Sequence, residues 1–309
     1  MAVLFKSGSD SAAHWEREIR SRIPDLDFRI WPDYGDPADI TFALVWGMPI
    51  GEFQKFPNLR CISSLGAGVD HIFRDTDLPE GVAITRLVDP WMAEAMSEYV
   101  LLQVLRFHRQ GDTYARFQQE KHWETLPFPD TAQRRVGILG LGALGEDAAV
   151  KLARHGFPTA GWSRRAKQIA GVDCFHGPEG LKPFLNRTDI LCCLLPLTPE
   201  TENIIDAKLL AELPKGAYVV NSARGRHVVD EDLIAAMDAG HIAGAALDVF
   251  RQEPLPAEHP YWAHPKVLLT PHAAALTNPR TAGEQVAENI RRVMAGKPPL
   301  NLVDRAAGY

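Results

Sequence analysis

No run of 18 or more apolar residues occurs in this 309-residue chain, so no segment reads as a membrane-spanning helix. Positive charge is in deficit: 33 Lys and Arg stand against 39 Asp and Glu, a formal net charge of −6. A general affinity for nucleic acid phosphates is not expected from that balance. Cysteine is scarce, with Cys61, Cys174, Cys192 and Cys193 and no C-x-x-C pair or histidine at ligand spacing. Neither a disulfide framework nor a zinc site follows, and no metal is expected. Cys192 and Cys193 lie in "DILCCLLP", which reads as a buried strand, so the thiols are expected to be reduced and structural, as in a cytoplasmic protein. The N-terminus "MAVLFKSGSD" turns polar after five residues, too soon for a signal peptide. Short repeats and low-complexity segments are also missing.

What is present is an ordinary globular composition, 46% hydrophobic and 23% charged, long enough for one large or two medium domains. Apolar β-rich runs alternate with helical patterns throughout. "MAVLF", "DFRIW", "ITFALVW", "RCISSLG" and "VAITRL" read as strands of a first unit. "SDSAAHWEREIRSRI" reads as a helix capped by Ser9 or Asp10. A long helical pattern over 91–120 and the linker "LPFPD" at 126–130 precede a second series. Its strands fall near 135–140, 157–162, 188–194, 217–221, 243–249 and 266–270, with helices at 143–155, 206–213 and 230–239. A last amphipathic helix is expected over 281–296. Continuous apolar strands alternating with helices predict an α/β protein with parallel sheets covered on both faces.

The second series opens on "VGILGLGALGEDAAVKLARHGF", with Gly140-x-Gly142-x-x-Gly145 between a strand and a helix. In that setting Gly140 permits the turn, Gly142 admits a pyrophosphate and Gly145 lets helix and strand pack closely. The anion would sit on the N–H groups of the first helical turn, around Ala143 and Leu144. One thing is missing again. At the end of the next strand, 18 residues past Gly145, an NAD-binding chain would carry an acidic residue for the ribose hydroxyls. "GWSRRAK" instead offers Ser163, Arg164 and Arg165, with Lys167 a weaker candidate. A hydroxyl and two guanidinium forks suit a 2′-phosphate, so NADP(H) is expected over NAD(H). The alternative is a solvated basic turn beside NAD.

Ligands of open parallel sheets bind beyond the strands' carboxyl ends, and three polar candidates stand there. Arg224 follows "AYVVN", Glu253 follows "AGAALDVF" and His272 follows "KVLLTP". Hydride delivery to a 2-keto acid leaves charge on the carbonyl oxygen. A histidine oriented by a glutamate, which would favour its protonated form, can donate the proton, and an arginine can grip the carboxylate. Singly, each is unremarkable: one of 11 histidines reads more readily as a surface or satisfied core residue, Glu253 as a plain loop residue and Arg224 as a surface charge. It is their shared placement after a dinucleotide fold that points to a site.

Taken in order, "GLGALG", "LLPLTPET", "NSARG", "LDVFRQEPLP" and "TPHAAA" resemble the D-isomer-specific 2-hydroxyacid dehydrogenase family along essentially the whole chain. "ALVWGMP", "LGAGVD", "GFPTAGWSR" and "VDRAAGY" carry a closer likeness to its glyoxylate- and hydroxypyruvate-reducing members. The resemblance implies two Rossmann-like, doubly wound domains. A split substrate-binding domain, 1–98 and 283–309, would close over a dinucleotide-binding domain at 99–282. It implies catalytic roles for Arg224, Glu253 and His272, with Asp248 near the nicotinamide. Pro196, Thr201 and Ala223 would lie along the cofactor. Gly66, Ala67, Gly68 and Val69 would hold the substrate carboxylate, with Trp46 either walling the pocket or simply packing. Expected, then, is a cytoplasmic homodimer that reduces glyoxylate to glycolate and hydroxypyruvate to D-glycerate with NADPH. The rivals are an enzyme for a bulkier 2-keto acid and a non-catalytic dinucleotide sensor of the same fold.

Overall fold

The apolar runs of the first unit become five short parallel strands in a computed structural model that describes residues 2–309. They are β1 (Ala2–Lys6), β2 (Asp27–Ile30), β3 (Ile40–Val45), β4 (Cys61–Ser64) and β5 (Ala83–Thr85), with helices α1 (Ala12–Arg20) and α2 (Asp70–Phe73) between them. The sheet order is β2-β1-β3-β4-β5, all parallel. All six residues of β3 are buried, as expected of a strand covered on both faces. The α1 cap is Ser11, whose side chain accepts from His14 N–H, not Ser9 or Asp10. Those two residues have their own N–H groups bonded to Ser7 Oγ in a preceding turn, which delays the helix.

The second unit holds a seven-stranded parallel sheet. Helix α3 (Pro90–His108) leads in and α4 (Gly111–Glu120) follows. The expected single helix over 91–120 is broken because Gln110 adopts the left-handed conformation at φ 55 before Gly111. Then come β6 (Val136–Leu139), α5 (Ala143–Arg154), β7 (Thr159–Ser163), β8 (Asp173–His176), α6 (Gly177–Asn186) and β9 (Ile190–Cys193). The rest are α7 (Ala207–Glu212), β10 (Ala217–Asn221), α8 (Asp230–Asp238), β11 (Ile242–Leu247) and β12 (Val267–Leu269). Sheet order is β12-β11-β10-β9-β6-β7-β8, so the winding reverses between β6 and β9. That reversal is the crevice where such sheets bind ligands. Ile138, Leu191, Val219 and Ala245 are fully buried along the central strands. Each large aliphatic side chain so removed from water contributes about 1.5–3 kcal/mol.

The last helix, α9 (Pro279–Met294), belongs to the first unit. It buries Ala282, Val286, Ala287 and Ile290 and packs on α1, with an Arg22–Glu284 ion pair of 2.9 Å beside it. Leu302 then bridges to Thr85 at the β5 edge. The first unit therefore runs to Met92 and resumes at Thr277, while Ala93–Leu276 form the second. These boundaries fall six residues ahead of 98 and 282, one of them inside α3. Among the described residues no helix is long and apolar enough to cross a membrane.

Candidate active site

The turn between β6 and α5 is built by crowding. A Cβ on Gly140, whose φ is 111, would lie 2.8 Å from the Leu194 carbonyl, and one on Gly145 would lie 1.8 Å from the Gly140 oxygen. Around Gly142 the reverse holds: a Cβ there would meet nothing within 4 Å. The first intrahelical bond runs from Glu146 N–H to Gly142 O at 2.8 Å, so the N–H groups of Ala143, Leu144 and Gly145 precede the helical ladder. Tight glycines at both ends, open space in the middle and a helix N-terminus behind fit a dinucleotide pyrophosphate.

β7 ends at Ser163, whose hydroxyl donates to Arg165 O at 2.8 Å and turns the chain outward. Arg164 and Arg165 are exposed beyond it, and Lys167 is held by Glu146 at 3.0 Å. In the next loop Thr201 Oγ1 donates to Pro196 O at 2.7 Å and accepts from Thr198 N–H, so it shapes the 196–201 turn. Ala223 is buried at the end of β10.

The three strand-end residues come together within the second unit. His272 Nδ1 lies 2.7 Å from Glu253 Oε2, and Glu253 Oε1 accepts from Phe250 N–H at 2.9 Å. Burial would push the Glu253 carboxyl up, yet hydrogen bonds from His272 and Phe250 and the charge of Arg224 hold it below the ordinary glutamate value. An ionised carboxylate only accepts, so Nδ1 carries the hydrogen and Nε2 is the working nitrogen. His272 adopts φ 53, a left-handed backbone unusual for a residue with a Cβ. Its N–H donates to Asp248 O at 2.7 Å. The Asp248 carboxylate, 1% exposed, accepts from Thr270 Oγ1 and from the N–H groups of Ala273 and Ala274, so it braces the His272 turn.

Sequence reading missed several supports. Arg224 is anchored through its carbonyl, which accepts from Asn221 Nδ2 at 2.9 Å. Gly225 next to it has no room for a side chain, since a Cβ would lie 1.8 Å from the Phe250 carbonyl carbon. The Arg224 and Glu253 loops are thereby pressed together. Thr270 gives its hydrogen to Asp248, so Tyr99 on α3 must donate to Thr270 over their 2.7 Å contact. Burial pushes the Tyr99 phenol up to about 12, which keeps that donor in place. "NSARG" hinted at Asn221 and Gly225; nothing in the local sequence points to Tyr99.

In the first unit, Trp46 follows β3 and the 66–69 loop follows β4. Gly66 faces the indole, where a Cβ would sit 2.9 Å from Trp46 Cζ3. The carbonyls of this loop are engaged: Leu65 O accepts from Thr277, Gly66 O from Leu87 N–H and Gly68 O from Ser64 Oγ. The N–H groups of Ala67, Gly68 and Val69 donate to no acceptor among the described residues. Successive free N–H groups form an anion nest.

Against known proteins, residues 101–274 match the profile described as D-isomer specific 2-hydroxyacid dehydrogenase, NAD binding domain. The chain belongs to the D-isomer specific 2-hydroxyacid dehydrogenase family. Among curated relatives, this dehydrogenase is 43% identical to glyoxylate/hydroxypyruvate reductase A of Yersinia enterocolitica over 314 aligned residues, covering 100% of both chains. Its fold is similar to that of a D-isomer specific 2-hydroxyacid dehydrogenase from Xanthobacter autotrophicus Py2 solved with NADPH and MES. The TM-score is 0.95 and the identity 48%, covering 100% of this chain and 99% of that one. A second neighbour is an NADPH-dependent glyoxylate/hydroxypyruvate reductase from Sinorhizobium meliloti solved with NADP and sulfate. There the TM-score is 0.93 and the identity 36%, with all of both chains covered.

Proposed function

We propose that this dehydrogenase reduces small 2-keto acids with NADPH, glyoxylate to glycolate and hydroxypyruvate to D-glycerate foremost. The observation that carries the reading is the 2.7 Å Glu253–His272 pair, set beside the Arg224 loop at the carboxyl ends of β10, β11 and β12. The hydride is what bound NADPH supplies. His272 Nε2 gives its proton to the former keto oxygen, while Glu253 keeps Nδ1–H aligned and stays anionic. Arg224 neutralises charge on that oxygen and on the carboxylate through its planar fork. The 66–69 loop, on the first unit, takes the carboxylate. Gly140, Gly142 and Gly145 with the N–H groups of Ala143 and Leu144 hold the pyrophosphate. Ser163, Arg164 and Arg165 hold the 2′-phosphate, and the Pro196–Thr201 turn, Ala223 and Asp248 line the cofactor's path. The two neighbours solved with NADPH and NADP support that cofactor.

The homodimer belongs to this proposal and is supported by an apolar series on 102–128, where Leu102, Tyr114, Trp123 and Phe128 are exposed, Trp123 to 99%. The cytoplasm is supported by Cys61, Cys192 and Cys193, buried thiols with no disulfide. The test is kcat/KM for glyoxylate, hydroxypyruvate and a bulky 2-keto acid, with NADPH and NADH side by side. Turnover of the small acids with NADPH, reduced about 10²–10⁴-fold in His272→Ala, is expected. Full activity in His272→Ala would sink the mechanism, and faster turnover of the bulky acid would displace the substrate.

A further inference from the structure

Ser64 and His71 lie outside every role given so far, yet both are buried where the 66–69 loop is shaped. Ser64 ends β4 with its side chain at 0% exposure, and His71 stands in α2 at 8%. The Ser64 hydroxyl donates to Gly68 O at 2.7 Å and accepts from Gly66 N–H at 3.1 Å. Its third partner, His71 Nε2 at 3.0 Å, must then be a donor, because the single hydroxyl hydrogen is already used. So Nε2 carries the hydrogen and Nδ1 is a lone pair. The structure bears this out on the other side of the ring, where Gly47 N–H donates to Nδ1 at 3.3 Å. The same ring packs against Trp46, with centroids 4.3 Å apart and planes at 47°.

One imidazole thus ties the end of β3, through Gly47 and Trp46, to the loop after β4, through Ser64. Ser64 in turn fixes both ends of the glycine turn, since it holds Gly66 N–H and Gly68 O together. Because each peptide is planar and trans, turning Gly68 O to Ser64 sends Val69 N–H the opposite way, and Gly66 O, held by Leu87 N–H, does the same for Ala67 N–H. We infer that Ser64 and His71 are positioning residues that preorganise the Ala67–Val69 amides as an anion site for the substrate carboxylate. This inference rests on the proposal that the 66–69 loop binds that carboxylate. Preorganisation matters because a turn free to reorient points its amide donors away from the anion in many of its conformers, and the cost of ordering it comes out of substrate affinity.

The test uses the full chain and compares wild type with Ser64→Ala, His71→Phe and Gly66→Ala. His71→Phe keeps a ring against Trp46 and removes both nitrogens; Gly66→Ala disturbs the loop directly through the Trp46 contact. Measured for each are kcat and KM for glyoxylate, Ki for oxalate and the Kd for NADPH by fluorescence. Expected in Ser64→Ala and His71→Phe is a rise of tenfold or more in KM and Ki, with kcat within threefold and Kd for NADPH unchanged. If only Gly66→Ala raises KM and Ki, the loop binds the carboxylate but the positioning role falls. Unchanged values in all three variants would remove the loop reading along with it. A parallel loss of NADPH affinity in Ser64→Ala and His71→Phe would mean general damage to the fold, and would also overturn the inference.

Discussion

His272 holds a backbone conformation that costs about 1–3 kcal/mol for a residue with a Cβ, and its surroundings over-determine it. Three groups secure the turn: Asp248 through N–H bonds from Ala273 and Ala274, Thr270 through Asp248, and Glu253 through Nδ1. Glu253→Gln keeps the shape of that last contact but loses its charge, so kcat for glyoxylate is expected to fall at least tenfold with little change in NADPH Kd. Stability adds an independent check. The Glu253 carboxyl sits below its ordinary value of 4.5, so the folded state favours the ionised form. That contribution is complete above the ordinary value and disappears as pH falls through the depressed one. The Tm difference between wild type and Glu253→Gln should therefore shrink below about pH 4.5, followed by circular dichroism. On the cofactor side, Arg164→Ala and Arg165→Ala together should erase an NADPH preference of tenfold or more in kcat/KM, about 1.4 kcal/mol. An unaltered NADPH to NADH ratio would return the "GWSRRAK" run to a solvated turn.

At the scale of elements, close approach of backbones does what single side chains cannot. Gly225 leaves the Phe250 carbonyl room to cross over it, and so brings the loop after β10 against the loop after β11. Gly225→Ala should lower Tm by several degrees and depress glyoxylate turnover, since the Glu253 loop must move to admit a methyl group. Retained activity and Tm would mean the two loops are independent. Most of these elements were legible in the sequence, because buried strands such as β3 and β9 are near-continuous apolar runs. The failures have physical reasons. β8 is an edge strand with two exposed ends, so "DCFH" carries no strong pattern. α6, "GPEGLKPFLN", contains two glycines and two prolines, and it is helical because Phe184 and Leu185 bury themselves in the core. That Arg224, Glu253 and His272 follow strands was readable, because each comes just after an apolar run that forms β10, β11 or β12. Tyr99, Ser64 and His71 were not, since their partners are set by tertiary packing: Tyr99 meets Thr270 across 171 residues of chain.

For the whole molecule, exposed apolar surface and chain continuity are the features that matter. Trp123→Glu should convert the proposed dimer to monomer in sedimentation velocity, because a 99% exposed indole is otherwise an unfavourable surface feature. A monomeric wild type would end that reading without touching the catalytic one. The other feature is the return of 277–309 to the first unit, where α9 lies on α1 and Leu302 bridges to Thr85. During synthesis, the strands made first cannot gain their covering helix until the intervening unit has left the ribosome. At about 5–20 residues per second, that is a wait of roughly 10–40 s for some 200 residues. The unit begun second is thus the first that can finish folding. Until then β1, β3 and the unpartnered face of α1 are clients for a holdase, so a chain truncated after Leu276 should be protease-sensitive before residue 92 and protected after it.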